Sequence, residues 1–179
     1  MQALPQLTQL HELCLRGSVL HTAAVPALLH ALPQNLLHLD LSLAEAVCDC
    51  DQHCEAVRGA RQYHVVVVAE TLHKVLKAGN LPHLRQLDAS GSCVSAVAAA
   101  AVAAGAACAP RLQALRLRRG ASGRAFGDAG AAALARGLPA CVALQRLDVT
   151  GQRCSPAALA ELQQALPGVD VVYAYGTCT

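Results

Sequence analysis

The sequence predicts an α/β solenoid of about six repeats, with a curved parallel sheet inside and helices outside. Three observations lead there. Six of the eight prolines, Pro5, Pro33, Pro82, Pro110, Pro139 and Pro167, fall at intervals of 28, 49, 28, 29 and 28 residues. A few residues after each comes an apolar triplet spaced one, four, six: Leu10/Leu13/Leu15, Leu36/Leu39/Leu41, Leu84/Leu87/Ala89, Leu112/Leu115/Leu117, Leu144/Leu147/Val149 and Val169/Val172/Ala174. Downstream the apolar period lengthens from two residues to that of a helix.

Within a unit the triplet alternates apolar and polar residues, as in Leu144-Gln145-Arg146-Leu147-Asp148-Val149, the pattern of a short half-buried strand. Strands are expected near residues 12–16, 38–42, 86–90, 114–118, 146–150 and 171–175. Leu28 and Leu32, then Val68, Leu72, Val75 and Leu76, then Leu134 and Leu138, then Leu159, Leu162 and Leu166 sit at helical spacing. Ser155-Pro156 is a start signal: serine accepts a free amide proton and proline presets the first helical residue. The alanine-rich stretch from Cys93 to Pro110 is in register with these helices and shorter than the ~20 residues a membrane span needs, so it reads as a repeat helix. The closing proline cannot continue the helical ladder and is expected to end each helix. Because a helix is wider than the ~4.8 Å strand spacing, the stack must curve with its strands inside.

Leu-x-x-Leu-x-Leu followed by a helix in a 28-residue period, with Gly127-Asp128-Ala129-Gly130-Ala131 leading into Leu134 and Leu-Pro closing the unit, resembles the ribonuclease-inhibitor-like leucine-rich repeats. The resemblance covers nearly the whole chain except residues 44 to 64 and implies protein binding, usually on the concave face. One departure concerns the ninth position of the consensus, normally Asn or Cys bonded to turn backbone. It reads Ser18, Ala44, Ser92, Gly120 and Gln152. Without an asparagine ladder, the Ala and Gly turns are expected to rely on water or backbone bonds.

Residues 1–179 read as one domain with an insertion at about 44–64, since the Pro33 to Pro82 interval exceeds one period by about 21 residues. The insertion holds Cys48-Asp49-Cys50-Asp51-Gln52-His53-Cys54. Cys48, Cys50, His53 and Cys54, with nearby His64, are the candidate zinc ligands by residue type. Their spacing fits none of the paired Cys-x-x-Cys frameworks, so a reduced loop without metal is the expectation, and no cofactor is called for. Nine cysteines form an odd, scattered set, read mostly as reduced, buried small hydrophobes. The eight histidines all lie in the first 83 residues, on different faces of different units, and read as surface or turn residues.

Composition narrows the function. The chain is 54% hydrophobic and 15% charged with a net charge of +2, too little for a polyanion or membrane partner. The first fifteen residues lack the charged and apolar regions of a secretory signal, so a cytoplasmic location is expected, with association to the cytoskeleton or another large complex compatible with it. Gly-x-Ser-x-Gly, Walker and His-Glu-x-x-His sequences are all missing, and neither catalysis nor a small-molecule substrate is expected. Nucleic acid would want a basic stripe with stacking aromatics. With one Phe, three Tyr and no Trp, RNA binding through the Arg-rich fourth and fifth repeats is the alternative reading.

A non-enzymatic protein-binding module or scaffold subunit of a multi-subunit assembly is therefore expected. Arg116, Arg118, Arg119 and Arg146, with Tyr173 and Tyr175, are the candidate contact residues, because Arg and Tyr are favoured at interfaces. The row at the fifth consensus position should read Cys14, Asp40, Asp88, Arg116, Asp148 and Tyr173, with Arg116 paired across strands to its aspartate neighbours. The chain opens almost directly on its first strand. The layer of Leu4, Leu7, Leu10 and Leu13 at that uncapped N-terminal end is a further expected contact surface.

Overall fold

The computed structural model describes residues 7–21, 23–42, 45–47, 60–91, 95–120 and 125–174. Strands β1 (Glu12–Cys14), β3 (His38–Asp40), β5 (Gln86–Asp88), β6 (Ala114–Arg116), β7 (Arg146–Asp148) and β8 (Asp170–Val172) form one sheet in that order. Every pairing is parallel. Helices α1 (Ala24–His30), α2 (Ala60–Lys77), α3 (Ala96–Ala106), α4 (Gly127–Gly137) and α5 (Pro156–Ala165) connect the strands, each packed on the next. Two further strands, β2 (Val19–His21) and β4 (Glu45–Val47), pair in parallel as a separate ribbon beside the first two units.

The register puts Leu13, Leu39, Leu87, Leu115, Leu147 and Val171 side by side, one per strand. Leu39, Leu87, Leu115 and Leu147 are buried, as are the outer members of their triplets, Leu36/Leu41, Leu84/Ala89, Leu112/Leu117 and Leu144/Val149. Helical residues close over them: Leu72, Val75 and Leu76 from α2, Val102 from α3, Leu134 from α4, and Leu159 and Leu162 from α5. On α1 the buried pair is Val25 and Leu29, with Leu28 turned to the flank, one residue from the expected phase. In the first unit Leu10, Leu13 and Leu15 are only half-buried, and Leu7 is 46% exposed.

The last strand departs from the expected alignment. Val171, not Val172, stands opposite Leu147, and Val172 takes the place expected for Tyr173. The cause is the two-residue spacing of Val169 and Val171: both pack against the core, which strand alternation allows and the one-four-six spacing does not. Ala174 is accordingly exposed.

Helix ends are set locally. Ser155 Oγ accepts from the Ala158 amide with Pro156 following, as expected, and Ser95 Oγ caps α3 through Ala98 in the same way. Pro82 is not what stops α2. Gly79, at φ +71°, turns the chain left-handed, so that its amide bonds to Leu76 and that of Asn80 to Val75. Pro139 sits within a 3-10 turn, Leu138–Ala140, that prolongs α4.

The alanine-rich stretch forms α3, wedged between α2 and α4. Its small residues let the helices approach: a Cβ on Gly105 would stand 3.0 Å from the His73 backbone, and one on Gly137 of α4 would stand 2.8 Å from Ala103 Cβ. Among the described residues, no helix is long and apolar enough to cross a membrane. The expected insertion is partly built into these elements, as β4 and the first turn of α2; residues 48–59 lie outside the described set.

Two stability measurements check this packing. Leu147→Ala should cost roughly 2–5 kcal/mol in urea unfolding, as a buried large-to-small change. Gly105→Leu should cost about 1–3 kcal/mol through forced separation of α2 and α3. A loss under about 0.5 kcal/mol in either case would contradict the assigned position.

Candidate protein-binding face

Strand alternation sends the residues on either side of each buried central side chain to the concave face. Two rows result, in register from strand to strand: Glu12, His38, Gln86, Ala114, Arg146 and Asp170, and Cys14, Asp40, Asp88, Arg116, Asp148 and Val172. Over β1, β3, β5 and the edge of β6 they line a shallow depression of about 210 Å³.

The aspartates of the second row have a local task, which for Asp88 and Asp148 replaces the expected pairing with Arg116. Asp40 Oδ1 accepts from the Ser42 amide at 2.8 Å, Asp88 Oδ1 from Ser90 at 2.9 Å, and Asp148 Oδ1 from Thr150 at 3.0 Å. Each closes the turn that leaves its strand. The signal was present in the sequence as Asp-x-Ser/Thr, repeated at 40–42, 88–90 and 148–150. Where β6 has Arg116 instead, the Arg118 amide is taken by Ser90 Oγ from the neighbouring unit, at 3.1 Å.

Among the described residues, the ninth consensus position is used by Gln152. Buried at 1% exposure, its Oε1 accepts from the Phe126 amide at 3.1 Å and its Nε2 donates to the Leu117 carbonyl. One side-chain amide thus joins two turns, the function that the missing asparagines would serve. Cys154 adds a thiol contact to the Gly127 carbonyl at 3.6 Å.

Of the candidate contact residues, Arg116 and Arg146 lie on the concave rows, but the expected partners of Arg116 do not form. Arg118 Nε holds Asp148 Oδ2 at 2.8 Å, and Arg146 Nη1 meets Asp170 Oδ2 at 3.3 Å. The second pair is exposed on both sides and contributes roughly 0.2–1 kcal/mol. Among the described residues no carboxylate comes within ion-pair distance of Arg116. Arg119 lies beyond the strand end, its amide bonded to the Thr150 carbonyl. Tyr173 is exposed just past β8, off the row expected for it. Tyr175, Leu4 and the cluster Cys48, Cys50, His53 and Cys54 lie outside the described residues, and His64 falls within α2. Among the described residues, no group of three His, Cys, Asp or Glu side chains is arranged to hold a metal.

Cysteine burial divides the set. Among the described cysteines, Cys141 is buried and Cys154 half-buried, as expected of core residues, whereas Cys14 and Cys108 are exposed. Cys14 is exposed because it lies on the concave row, where its thiol donates to Asp40 Oδ2 at 3.5 Å. Burial pushes the Cys141 thiol up to about 11, the hydrogen bond with Leu144 only partly opposing it. Burial, then the charge of Asp128, does the same for Cys154, also to about 11. Burial also disfavours the Asp40 carboxylate. Hydrogen bonds from the Ser42 side chain and amide, then the Cys14 thiol, and finally the Arg16 charge outweigh it and hold Asp40 below its ordinary value.

A group depressed in the folded state stabilises above its unfolded value, about 3.9 for aspartate, and loses that contribution as pH falls through the folded value. Asp40→Asn should therefore lessen the drop in urea midpoint between pH 5 and pH 2, while Asn still accepts the Ser42 amide; an unchanged drop would show an unperturbed carboxyl. Gln152→Ala strands the Phe126 amide and Leu117 carbonyl, and should cost about 1–3 kcal/mol at pH 7 in the same assay.

No family model and no curated protein matches the sequence. Solved structures do. The leiomodin-1 actin-binding site 2 aligns over 96% of this chain and 73% of its own, at 15% identity and a TM-score of 0.51. The tropomodulin C-terminal domain of Caenorhabditis elegans aligns over 93% and 88%, at 13% identity and 0.59. A Bacteroides fragilis protein aligns over 86% of this chain and 38% of its own, at 16% identity and 0.55. At such identities the likeness is one of architecture. With its stacked parallel strands and outer helices, this chain has the fold of a leucine-rich repeat protein.

Proposed function

We infer that this chain is a non-enzymatic protein-binding module, a single leucine-rich repeat domain over residues 1–179 that receives its partner on the concave face. The observation that carries the reading is Arg116. It stands mid-sheet, at the edge of the depression, between two aspartates committed to their turns and to Arg118. A planar five-donor cation on a strand, with no ion-pair partner among the described residues, is a ready contact for a protein carboxylate. Arg118, Arg119, Arg146, Tyr173 and Tyr175 are assigned to the margin of the same contact. Support for a protein partner comes from leiomodin-1, whose aligned region is an actin-binding site. A cytoplasmic or cytoskeletal setting fits that parallel, as does membership of a larger assembly.

Affinity purification on the tagged chain, with identification of everything that co-purifies, is the test. Protein is expected, and Arg116→Ala with Tyr173→Ala should weaken its binding by about 2 kcal/mol, roughly thirtyfold, with an unchanged thermal melt. Specific recovery of RNA in place of protein, or turnover of a small molecule, would overturn the reading. Binding that survives the double change and is lost in Leu7→Lys would move the contact to the N-terminal end.

A further inference from the structure

Resting on the reading of the concave face as the contact surface, we propose that it selects an extended partner segment carrying a basic and an acidic side chain two residues apart. The basic group lies over Asp40 and Asp88, the acidic one at Arg116.

Among the described residues, the concave-face charges outside an ion pair are divided along the solenoid. Glu12, Asp40 and Asp88 lie on β1, β3 and β5, where the depression is, and Arg116 lies on β6; Asp148 and Asp170, on β7 and β8, are held by Arg118 and Arg146. Asp40 and Asp88 stand in register on adjacent strands, so two like charges face each other at about the 4.8 Å strand spacing, an arrangement that costs energy until a cation bridges it. Both retain capacity for one. Each commits Oδ1 to its turn amide; Asp88 Oδ2 has no partner among the described residues, and Asp40, which also accepts from the Ser42 side chain, has at Oδ2 only the weak Cys14 thiol donor at 3.5 Å.

Geometry sets the spacing. Arg116 is one strand beyond Asp88, so it lies one and a half strand spacings, about 7 Å, from the middle of the aspartate pair. Alternate residues of an extended chain are also about 7 Å apart and point to the same side. A segment crossing the strands therefore presents a Lys or Arg and an Asp or Glu, separated by one residue, to both sites at once. A volume of about 210 Å³ takes one long side chain; a helix, about 10 Å across, does not enter it. The matched charges also exclude a uniformly acidic segment, which Arg116 alone would accept but Asp40 and Asp88 repel.

The test uses the full chain immobilised against a phage-displayed library of random twelve-residue peptides. Enriched sequences should carry a basic and an acidic residue separated by one position. As synthetic peptides they should lose at least about tenfold in affinity for Asp88→Asn and for Arg116→Gln. Asn keeps the acceptor that closes the Ser90 turn, and thermal melts of the variants confirm the fold. Enrichment of uniformly acidic peptides, or none, would overturn the proposal. Peptides that lack the charge pair but weaken in both variants would refute the pairing and leave the concave contact standing. Peptides indifferent to both variants would refute the concave contact as well.

Discussion

Each strand of the main sheet is three residues long and turns one central side chain to the core, so no unit has a core of its own. The structure depends on lateral continuity: Leu39, Leu87, Leu115 and Leu147 exist as a core only because each is covered by the units on either side. The half-buried Leu10, Leu13 and Leu15 show the same constraint from its other side, since among the described residues β1 has a strand neighbour on one flank alone. In-register parallel pairing follows from it, because a slip of one residue would turn every central leucine to the concave face.

That constraint shifts the polar work to the turns. After each three-residue strand the backbone must leave the sheet with its amides satisfied, and Asp40, Asp88 and Asp148 do this from the strand's last position. The same carboxylates lie on the concave face, so the groups that close the turns also set the charge seen by a partner. Arg116 interrupts the series, and the units on either side compensate through Ser90 and Gln152. The surface charge pattern is thus partly a consequence of how the repeats are joined.

On the outer layer, spacing is governed by side-chain size. Alanine and glycine dominate where α3 meets α2 and α4, and Gly105 and Gly137 mark the points of closest approach. Helices that approach this closely splay less from the strand spacing than leucine-faced ones, which moderates the curvature of the sheet they cover.

The period of the prolines and leucines determined the fold class, the parallel order of the strands and the buried triplets of the four inner strands, because in a solenoid all of these repeat with the sequence. Helix starts such as Ser155-Pro156 were equally local and equally legible. What the tertiary structure decided were contacts between units. Val171 displaced Val172 and removed Tyr173 from the concave row because Val169 and Val171 share a core-facing side on the last strand. The aspartates became turn acceptors and released Arg116, although Asp-x-Ser/Thr was there to be read; charge spacing alone favoured cross-strand pairs. Gln152 reached two turns at once, a bridge that depends on how closely neighbouring units stack. Sequence sets what each residue offers along its own strand or helix, while the choice among several nearby acceptors is made by distances between repeats, which no single unit encodes.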